Sequence, residues 1–342
     1  MDRTSFIFVS ALVLAASPAV AQNNDALPLP ATTTATTKPR VVIVRIDPAT
    51  IAKYGPFGGS YRPLDAQLIE KLDAAGVAGI GMDIFLPENP SQTAGTEAIA
   101  RAAAASHAPV VVAVSQNPDG TLLPNAAPIR DNTKIGQGTI FVAPELVIDG
   151  GIEAAQQAID EAVKAGKDPE IAYHTGQVGL IAHGHDGFSP LFKVLGERVG
   201  AFDEKDVESI EGPETTSIRV ENGKVTQKTE VVIRPKLGKP SEIPTVSFAS
   251  VLDGTADPKL LKGAIVFVGM DDGKNDVFKN PDPNRPDLKQ ISGVYFHAFV
   301  MKQALEAHAR RLTAAPGSGT SSTSSETPPP VESGGLVKKL PD

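Results

Sequence analysis

The chain contains neither cysteine nor tryptophan in its 342 residues. The absence of cysteine excludes disulfide bonds and thiolate metal sites, so any exported form of this protein relies on its apolar core alone for stability. The length is sufficient for one large domain or two small ones, either of which can bury a substantial core.

Positively charged residues are also fewer than negatively charged ones. The 32 lysines and arginines are outnumbered by 40 aspartates and glutamates, giving a formal net charge of −8. There is no basic cluster with interleaved aromatic residues, and a net negative surface repels the phosphate groups of a nucleic-acid backbone. Nucleic acid is therefore excluded as an expected partner.

Long apolar runs are missing except for a short one near the start. Arg3 supplies a weak positive charge, Phe6–Ala16 is uncharged and apolar, and Pro18 is followed by the small residues Ala19–Ala21. This layout predicts a secretory signal peptide over residues 1–21, cleaved before Gln22, and a periplasmic or secreted protein of the bacterial envelope. The apolar stretch is shorter than the ~20 residues of a spanning helix, so no stable transmembrane segment is expected after signal removal. An uncleaved membrane anchor is the alternative.

Two further segments have compositions typical of disorder. Residues 22–39 are rich in Ala, Thr and Pro, and residues 313–342 are rich in Ser, Thr and Pro. Such segments bury too little apolar area to offset the entropy lost on ordering. The sequence thus predicts a linker over 22–39, a single folded domain over 40–312 and a disordered tail over 313–342.

The first part of the folded region has a regular alternation of strands and helices. The pattern predicts, in order, strand Val41–Ile46, helix Pro63–Ala75, strand Val77–Phe85, helix Thr96–Ser106 and strand Pro109–Val114. A β-α-β-α-β order of buried strands indicates a parallel sheet with right-handed crossovers.

The later parts of the region are less regular. The middle predicts a helix over Gly151–Ala165, a helix capped by Ser189 with Pro190 at its first position, a hairpin around Asn222-Gly223 and a strand over Val231–Arg234. The end predicts a helix over Val246–Leu252, a helical turn capped by Asp257, a strand over Ala264–Val268 and a final helix from near Val294 to about Leu312. The expected fold class is α/β, with a mixed, largely parallel central sheet flanked by helices and an inserted hairpin and helical middle segment.

Several polar residues lie at or just after the ends of the predicted strands or begin the last helix. Because ligands bind outside the carboxyl ends of strands in open α/β sheets, six residues are expected to converge at one edge: Asp47, Asp83, Asp271, Asp272, Asp276 and His297. Clustered carboxylates favour a cation, an amine or a polar ligand over an anion. The alternative is that Asp47 and Asp276 cap turns and His297 is structural. The sequence predicts no cofactor and leaves the metal open.

Enzyme signatures are absent, since there is no G-x-S-x-G elbow and no H-E-x-x-H motif. The GMDDGKN segment has the wrong spacing and charge for a phosphate loop. His183 and His185 have a spacing that holds a metal only with Asp186 or His174, and their glycine neighbours favour an exposed loop.

Five segments together carry a family resemblance: VVIVRIDPATIAKYG, Arg62-Pro63, GVAGIGMDIFLPE, DPKLLKGAIVFVG with NDVFKNP, and SGVYFHA. Their order and spacing resemble the type-2 CHASE domain, an extracellular sensor module of bacterial cyclases, histidine kinases and protein kinases. The resemblance implies an α/β sensor fold and supplies no ligand or catalytic residue. Family members usually carry tryptophans before the first arginine, where this chain has Pro56–Gly59, and continue into membrane helices and an output domain, where this chain has its Ser/Thr/Pro tail.

We therefore expect an exported module without its own output domain that is not an enzyme. It would bind a small molecule, still unknown, or a signalling protein of the envelope. The alternatives are a periplasmic hydrolase using Asp47, Asp83, Asp276 and His297, and a purely structural envelope protein.

Overall fold

The computed structural model describes most of the chain between residues 39 and 314. The described ranges are 39–116, 122–140, 142–147, 177–182, 189–208, 215–221, 224–230, 237–279 and 290–314, with a few single positions between 157 and 166.

A mostly parallel sheet of seven strands forms the centre of this region. The strands of the described residues, in chain order, are Val41–Ile46 (β1), Gly79–Phe85 (β2), Val110–Gln116 (β3), Leu122–Leu123 (β4), Ile135–Thr139 (β5), Val142–Val147 (β6), Gln177–Ala182 (β7), Thr215–Glu221 (β8), Lys224–Glu230 (β9), Thr245–Ser247 (β10), Ile265–Met270 (β11), Val277–Lys279 (β12) and Gln290–Ser292 (β13). The central sheet has the order β10-β1-β11-β2-β3, and β3 also pairs with β4 and β5. All of these pairings are parallel except that of β4.

Helices cover both faces of this sheet. Their bounds are Pro48–Tyr54 (α1), Arg62–Ala74 (α2), Thr93–Ala105 (α3), Ala127–Arg130 (α4), Leu191–Arg198 (α5), Glu204–Glu208 (α6), Phe248–Leu252 (α7), Pro258–Leu261 (α8) and Gly293–Ala314 (α9). The apolar faces of α2, α3 and α7 bury one side of the sheet, and those of α5 and α9 bury the other. The α/β class predicted from the sequence is therefore confirmed.

Strand β1 shows why the central strands are continuous apolar runs. Val42, Val44 and Ile46 point into the core beneath α2 and α3, whereas Val41 and Ile43 point into the core beneath α5 and α9. Alternate side chains of a strand face opposite sides of the sheet, so a strand covered on both faces needs apolar residues throughout.

The last helix, α9, is held at both ends. Its first turns, from Gly293 onward, pack on the sheet through residues such as Val294 and Phe296, which are fully buried. Near its other end, Arg311 Nε donates to Asp206 Oδ1 at 2.9 Å, and His308 Nδ1 lies 2.7 Å from Asp206 Oδ2. Asp206 is 1% exposed, and its hydrogen bond from Arg311 holds the pKa of that carboxyl well below its usual range.

Three antiparallel pairs lie outside the central sheet: β6 with β7, β8 with β9, and β12 with β13. The pairing of Glu221 with Lys224 confirms the hairpin predicted around Asn222-Gly223. The predicted strand Val231–Arg234 and most of the predicted helix Gly151–Ala165 lie outside the described residues.

Several predictions of local structure were wrong in detail. Val246 belongs to the short strand β10, which pairs with β1, so the helix predicted there begins only at Phe248. Pro190 precedes helix α5 and occupies its capping position, without a side-chain hydrogen bond to the helix start. The strand expected to end at Val268 continues to Met270, and the final helix continues to Ala314. Strand β5 was not predicted at all.

None of the helices in the described part of the chain is long and apolar enough to cross a membrane.

Candidate functional site

Three neighbouring strands bring aspartates to one edge of the sheet. Strand β11 lies between β1 and β2 and is parallel to both. Asp47 directly follows β1, Asp271 directly follows β11, and Asp83 lies near the end of β2, where the register with β3 shifts between Met82 and Phe85. Irregularities of this kind re-aim a side chain and are common next to functional sites. The edge expected from the strand order is therefore present.

The innermost residues of this edge are Asp83 and His297. Their side chains are 3% and 1% exposed, and Asp83 Oδ1 lies 4.0 Å from His297 Nε2, beyond hydrogen-bond distance. Asp83 Oδ2 and both ring nitrogens of His297 are buried without a hydrogen-bond partner. Because nearly all buried polar atoms in folded proteins are hydrogen-bonded, three such atoms in one place call for an explanation.

Aromatic packing fixes the ring of His297. The Phe267 ring stacks on the imidazole, with centroids 6.2 Å apart and planes 20° apart. The Phe296 ring meets it edge-on at 5.9 Å and 89°. Both phenylalanines are fully buried, so the imidazole is enclosed by apolar surface on two sides.

Asp276 lies beside this pair, at the start of helix α9. The Gly293 amide donates to the Asp276 carbonyl at 3.0 Å, and a Cβ added at Gly293 would lie only 2.5 Å from Asp276 Oδ2. His297 follows Gly293 by four residues and therefore shares its helix face. Asp276 has a positive φ of 50°, and among the described residues every other positive φ belongs to a glycine. Backbone strain of this kind is concentrated at functional sites.

A glycine in β11 allows the helix to approach Asp83. A Cβ added at Gly269 would lie 2.8 Å from the Val294 Cβ and 3.2 Å from the Asp83 Cβ. Real Cβ atoms do not approach that closely, so a side chain here would push α9 away from β2. The glycine thus sets the distance between the helix that carries His297 and the strand that carries Asp83.

Burial determines the charge state of the group. It raises the pKa of Asp83 well above its ordinary value, and the negative charge of Asp276 raises it further. Burial lowers the pKa of His297 to about 4. Asp276 as a whole residue is exposed, but nearby protein displaces part of the water around its carboxylate. This loss of water raises the pKa of Asp276 to about 6, although a hydrogen bond from the Gly293 amide acts to lower it. Burial therefore favours the protonated form of Asp83 and the neutral form of His297, whereas Asp276 carries a negative charge at neutral pH.

Asp271 is part of a second, neighbouring group that is hydrogen-bonded. It accepts from Ser292 Oγ at 2.8 Å, from Arg45 Nη1 at 3.3 Å and from Tyr295 OH at 3.4 Å. Burial, together with the negative charge of Asp271, raises the pKa of Tyr295 to about 12. Sequence reasoning missed Arg45, Ser292 and Tyr295. Arg45 had a visible signal, because it is the one charged residue within the apolar strand VVIVRI.

The remaining two predicted residues, Asp47 and Asp272, accept hydrogen bonds from backbone amides. Asp47 caps helix α1 by accepting from the Thr50 amide at 2.9 Å, and it also accepts from Thr50 Oγ1 at 2.7 Å and Ser247 Oγ at 3.0 Å. Burial raises the pKa of Asp47, but these hydrogen bonds outweigh it and the pKa lies below its ordinary value. Asp272 accepts from the amides of Lys274 and Asn275 and closes a turn. The turn-capping alternative thus describes Asp47 and Asp272.

Metal binding is not supported by the geometry of this edge. Over the described ranges, no three histidine, aspartate or glutamate side chains are arranged to hold a metal ion. His174, His183, His185 and Asp186 lie outside those ranges.

The comparisons with known proteins give one match. The family model of the CHASE2 domain matches residues 9–322, a range that includes strands β1, β2 and β11 and the last helix. No curated protein and no solved structure matches the chain. CHASE2 domains are sensor domains that are typically extracytoplasmic and non-catalytic. Since the match covers most of the sequence, the chain belongs to the CHASE2 domain family.

Proposed function

We propose that this chain is an exported sensor module that binds a small polar ligand at the carboxyl edge of its sheet, with Asp83 and His297 at the base of the site. The single observation that carries the proposal is the set of three buried polar atoms without partners on these two side chains. A ligand that hydrogen-bonds to these three atoms would supply the partners that the protein itself does not provide.

The energetics favour a functional reason for the pair. A buried polar group without a partner costs about 1–3 kcal/mol, whereas an apolar side chain of similar shape costs little. A protein that needed these positions only for packing would be more stable with leucine at either of them. Proteins keep such unfavourable groups chiefly where a binding or signalling function requires them.

The first experiment measures ligand recovery from the exported protein. The full-length gene is expressed in a bacterial host, the protein is purified from the envelope fraction, and small molecules released on denaturation are identified by mass spectrometry. Asp83→Leu and His297→Leu should lose the co-purified compound while keeping or raising the melting temperature. Asp272→Asn, in the turn that follows β11 at the same edge of the sheet, is the control and should retain it. Recovery of the compound from both leucine variants would refute the proposed site.

The hydrolase alternative has less support. The four residues it requires do not act together, because Asp47 is engaged by Thr50 and Ser247. His297 has no hydrogen bond to a hydroxyl group, so no nucleophile is activated by it. The family is non-catalytic as well.

A signalling protein of the envelope is the second candidate for the bound partner. The observation in its favour is that residues 273–276, which border the site, are exposed. Cross-linking from this loop in intact envelopes tests it: a specific adduct of protein mass, rather than a released small molecule, would favour the partner protein.

A further inference from the structure

We infer that the ligand group bound at this edge is a primary ammonium, held jointly by Asp83, Asp276 and His297. This inference rests on the proposed binding site and names the chemical class that the site accepts.

The number of hydrogen-bond acceptors matches a primary ammonium. An –NH₃⁺ group has three donors and no acceptor. The site offers one acceptor from each of three side chains: an oxygen of Asp83, an oxygen of Asp276 and the unprotonated ring nitrogen of His297. Asp83 Oδ2 and the His297 nitrogens have no other partner. Asp276 Oδ2 adjoins Gly293, one helical turn before His297 on the same helix face, and the negative charge of Asp276 acts on Asp83.

The charge of the site also matches a monovalent cation. Burial favours the uncharged forms of Asp83 and His297, so the negative charge of the group is centred on Asp276 near neutral pH. One ammonium neutralises this charge, whereas a divalent metal ion would leave an excess positive charge in a desolvated place, which is costly. An anion would be repelled by Asp276.

Geometry separates the ammonium from a metal ion. A metal ion needs ligand atoms about 2.0–2.6 Å away, and among the described residues no three side chains are placed for that. An ammonium nitrogen instead takes the longer distances of hydrogen bonds, about 2.7–3.2 Å. The 4.0 Å between Asp83 Oδ1 and His297 Nε2 leaves both atoms free to accept a hydrogen bond from one donor group between them.

The position of Asp276 provides the route of entry. It belongs to the exposed stretch 273–276, whereas the side chains of Asp83 and His297 are almost completely buried. An amine arriving from solvent would meet the Asp276 carboxylate first and reach the buried acceptors next. The remainder of the ligand would then lie toward the exposed loop.

The test uses simple amines as probes on the full-length exported protein. Methylammonium chloride carries three N–H donors, and tetramethylammonium chloride carries the same charge with none. Both are titrated at constant ionic strength to about 100 mM, because a ligand of two heavy atoms binds with a Kd on the order of ten millimolar at best. Binding is detected by saturation-transfer NMR on the methyl signal and by the melting temperature.

The expected result is a methylammonium signal and a rise in melting temperature of about 3 °C in the unchanged protein, with neither effect from tetramethylammonium. Asp276→Asn and His297→Leu should abolish both effects. Asp272→Asn removes the same charge from the same loop and should leave them intact.

Several results would overturn the inference. They are equal binding of tetramethylammonium, an undiminished response in Asp276→Asn, stabilisation by magnesium chloride that depends on Asp276, and no amine binding at all. In each of these cases the co-purified compound still reports on the site separately: if its recovery requires Asp83 and His297, the proposed function stands and only the ligand class is wrong.

Discussion

Neighbouring polar residues at the carboxyl edge differ in how well they are satisfied. Asp47 and Asp271 each accept several hydrogen bonds from side chains or amides. Asp83 and His297 lie at the same edge, but Asp83 Oδ2 and both ring nitrogens of His297 accept or donate no hydrogen bond. Sequence alone did not separate these groups, because all of them lie at or near the end of a strand or the start of a helix. The difference arises from partners that are distant in sequence, such as Ser247 for Asp47.

The buried proton on Asp83 should make stability depend on pH. The folded protein holds this proton well above the ordinary pKa of 3.8, whereas the unfolded chain releases it near that value. The contribution is fully present below about pH 4 and is lost as the pH rises toward the folded pKa. His297 acts in the opposite direction, because its folded pKa of about 4 lies below the ordinary 6.5, so its contribution grows between these values and is constant above them.

We therefore expect the contribution of Asp83 to the free energy of unfolding to fall as the pH rises above about 4 toward its raised folded pKa, by at most about 1.4 kcal/mol per pH unit for one proton. Asp83→Asn removes the titrating group and should flatten this part of the profile. Urea unfolding at a series of pH values measures it, with Asp272→Asn as the control that keeps the slope. Parallel profiles for the Asp83 variant and the unchanged protein would contradict the assignment.

Asp47 should behave as a helix cap and not as a ligand residue. Asp47→Ala removes the acceptor for the Thr50 amide and should lower the free energy of unfolding by about 1–2 kcal/mol. Asp47→Asn keeps an oxygen in the capping position and should cost less. Neither change should alter recovery of a co-purified compound, which is assayed on the same preparations. A loss of that compound in Asp47→Asn would return Asp47 to the binding site.

At the level of elements, helix α9 connects the site to the far side of the domain. Its first turns carry Gly293, Tyr295 and His297, and its last turns carry His308 and Arg311, which bind Asp206. A helix of 22 residues is about 33 Å long. One rigid element thus spans from the candidate site to a polar contact with α6.

Gly269→Ala tests how closely this helix must approach the sheet. The new methyl group would meet Val294 and Asp83, so we expect a loss of about 1–3 kcal/mol in the free energy of unfolding. Recovery of a co-purified compound should also fall, because His297 and Asp83 would be moved apart. Gly58→Ala is a suitable control: its φ of 167° is extended backbone, nothing lies within 4 Å of the added Cβ, and it should change stability by less than about 0.5 kcal/mol. Equal effects of the two substitutions would show that the helix tolerates displacement.

The sequence predicted long, strongly patterned elements and missed short or unpatterned ones. Strands β1, β2, β3 and β11 are apolar because both of their faces are covered, so they stood out. Strand β5, with the sequence IGQGT, has no apolar run. Its glycines are needed because a Cβ at Gly138 would lie 2.6 Å from the Leu191 backbone, and one at Gly136 would lie 2.8 Å from Val111. Strand β10 has three residues, too few to show a period. Contacts made only in the folded chain determine both elements.

For the whole molecule, location determines which ligands are available. We expect export and cleavage between Ala21 and Gln22, because the uncharged Phe6–Ala16 stretch is followed by small residues at the predicted cleavage position. Intact-mass measurement on protein from the envelope fraction should give a chain beginning at Gln22. A mature protein that still begins at Met1 and is extracted only by detergent would instead indicate a retained anchor.

The C-terminal segment provides a last test, of where the folded domain ends. Residues 315–342 are rich in Ser, Thr, Pro and Gly and show no apolar period, so they have little to bury against the core. Removing them should change the melting temperature by less than about 1 °C. A second truncation, after Arg310, supplies the contrast because it also removes Arg311, whose guanidinium bonds the almost completely buried Asp206. That shorter protein should melt at a lower temperature, and amide exchange should show the last turns of α9 opening. If the two truncations were equally destabilising, the tail itself would have to pack on the domain, and the boundary placed after Ala314 would be wrong.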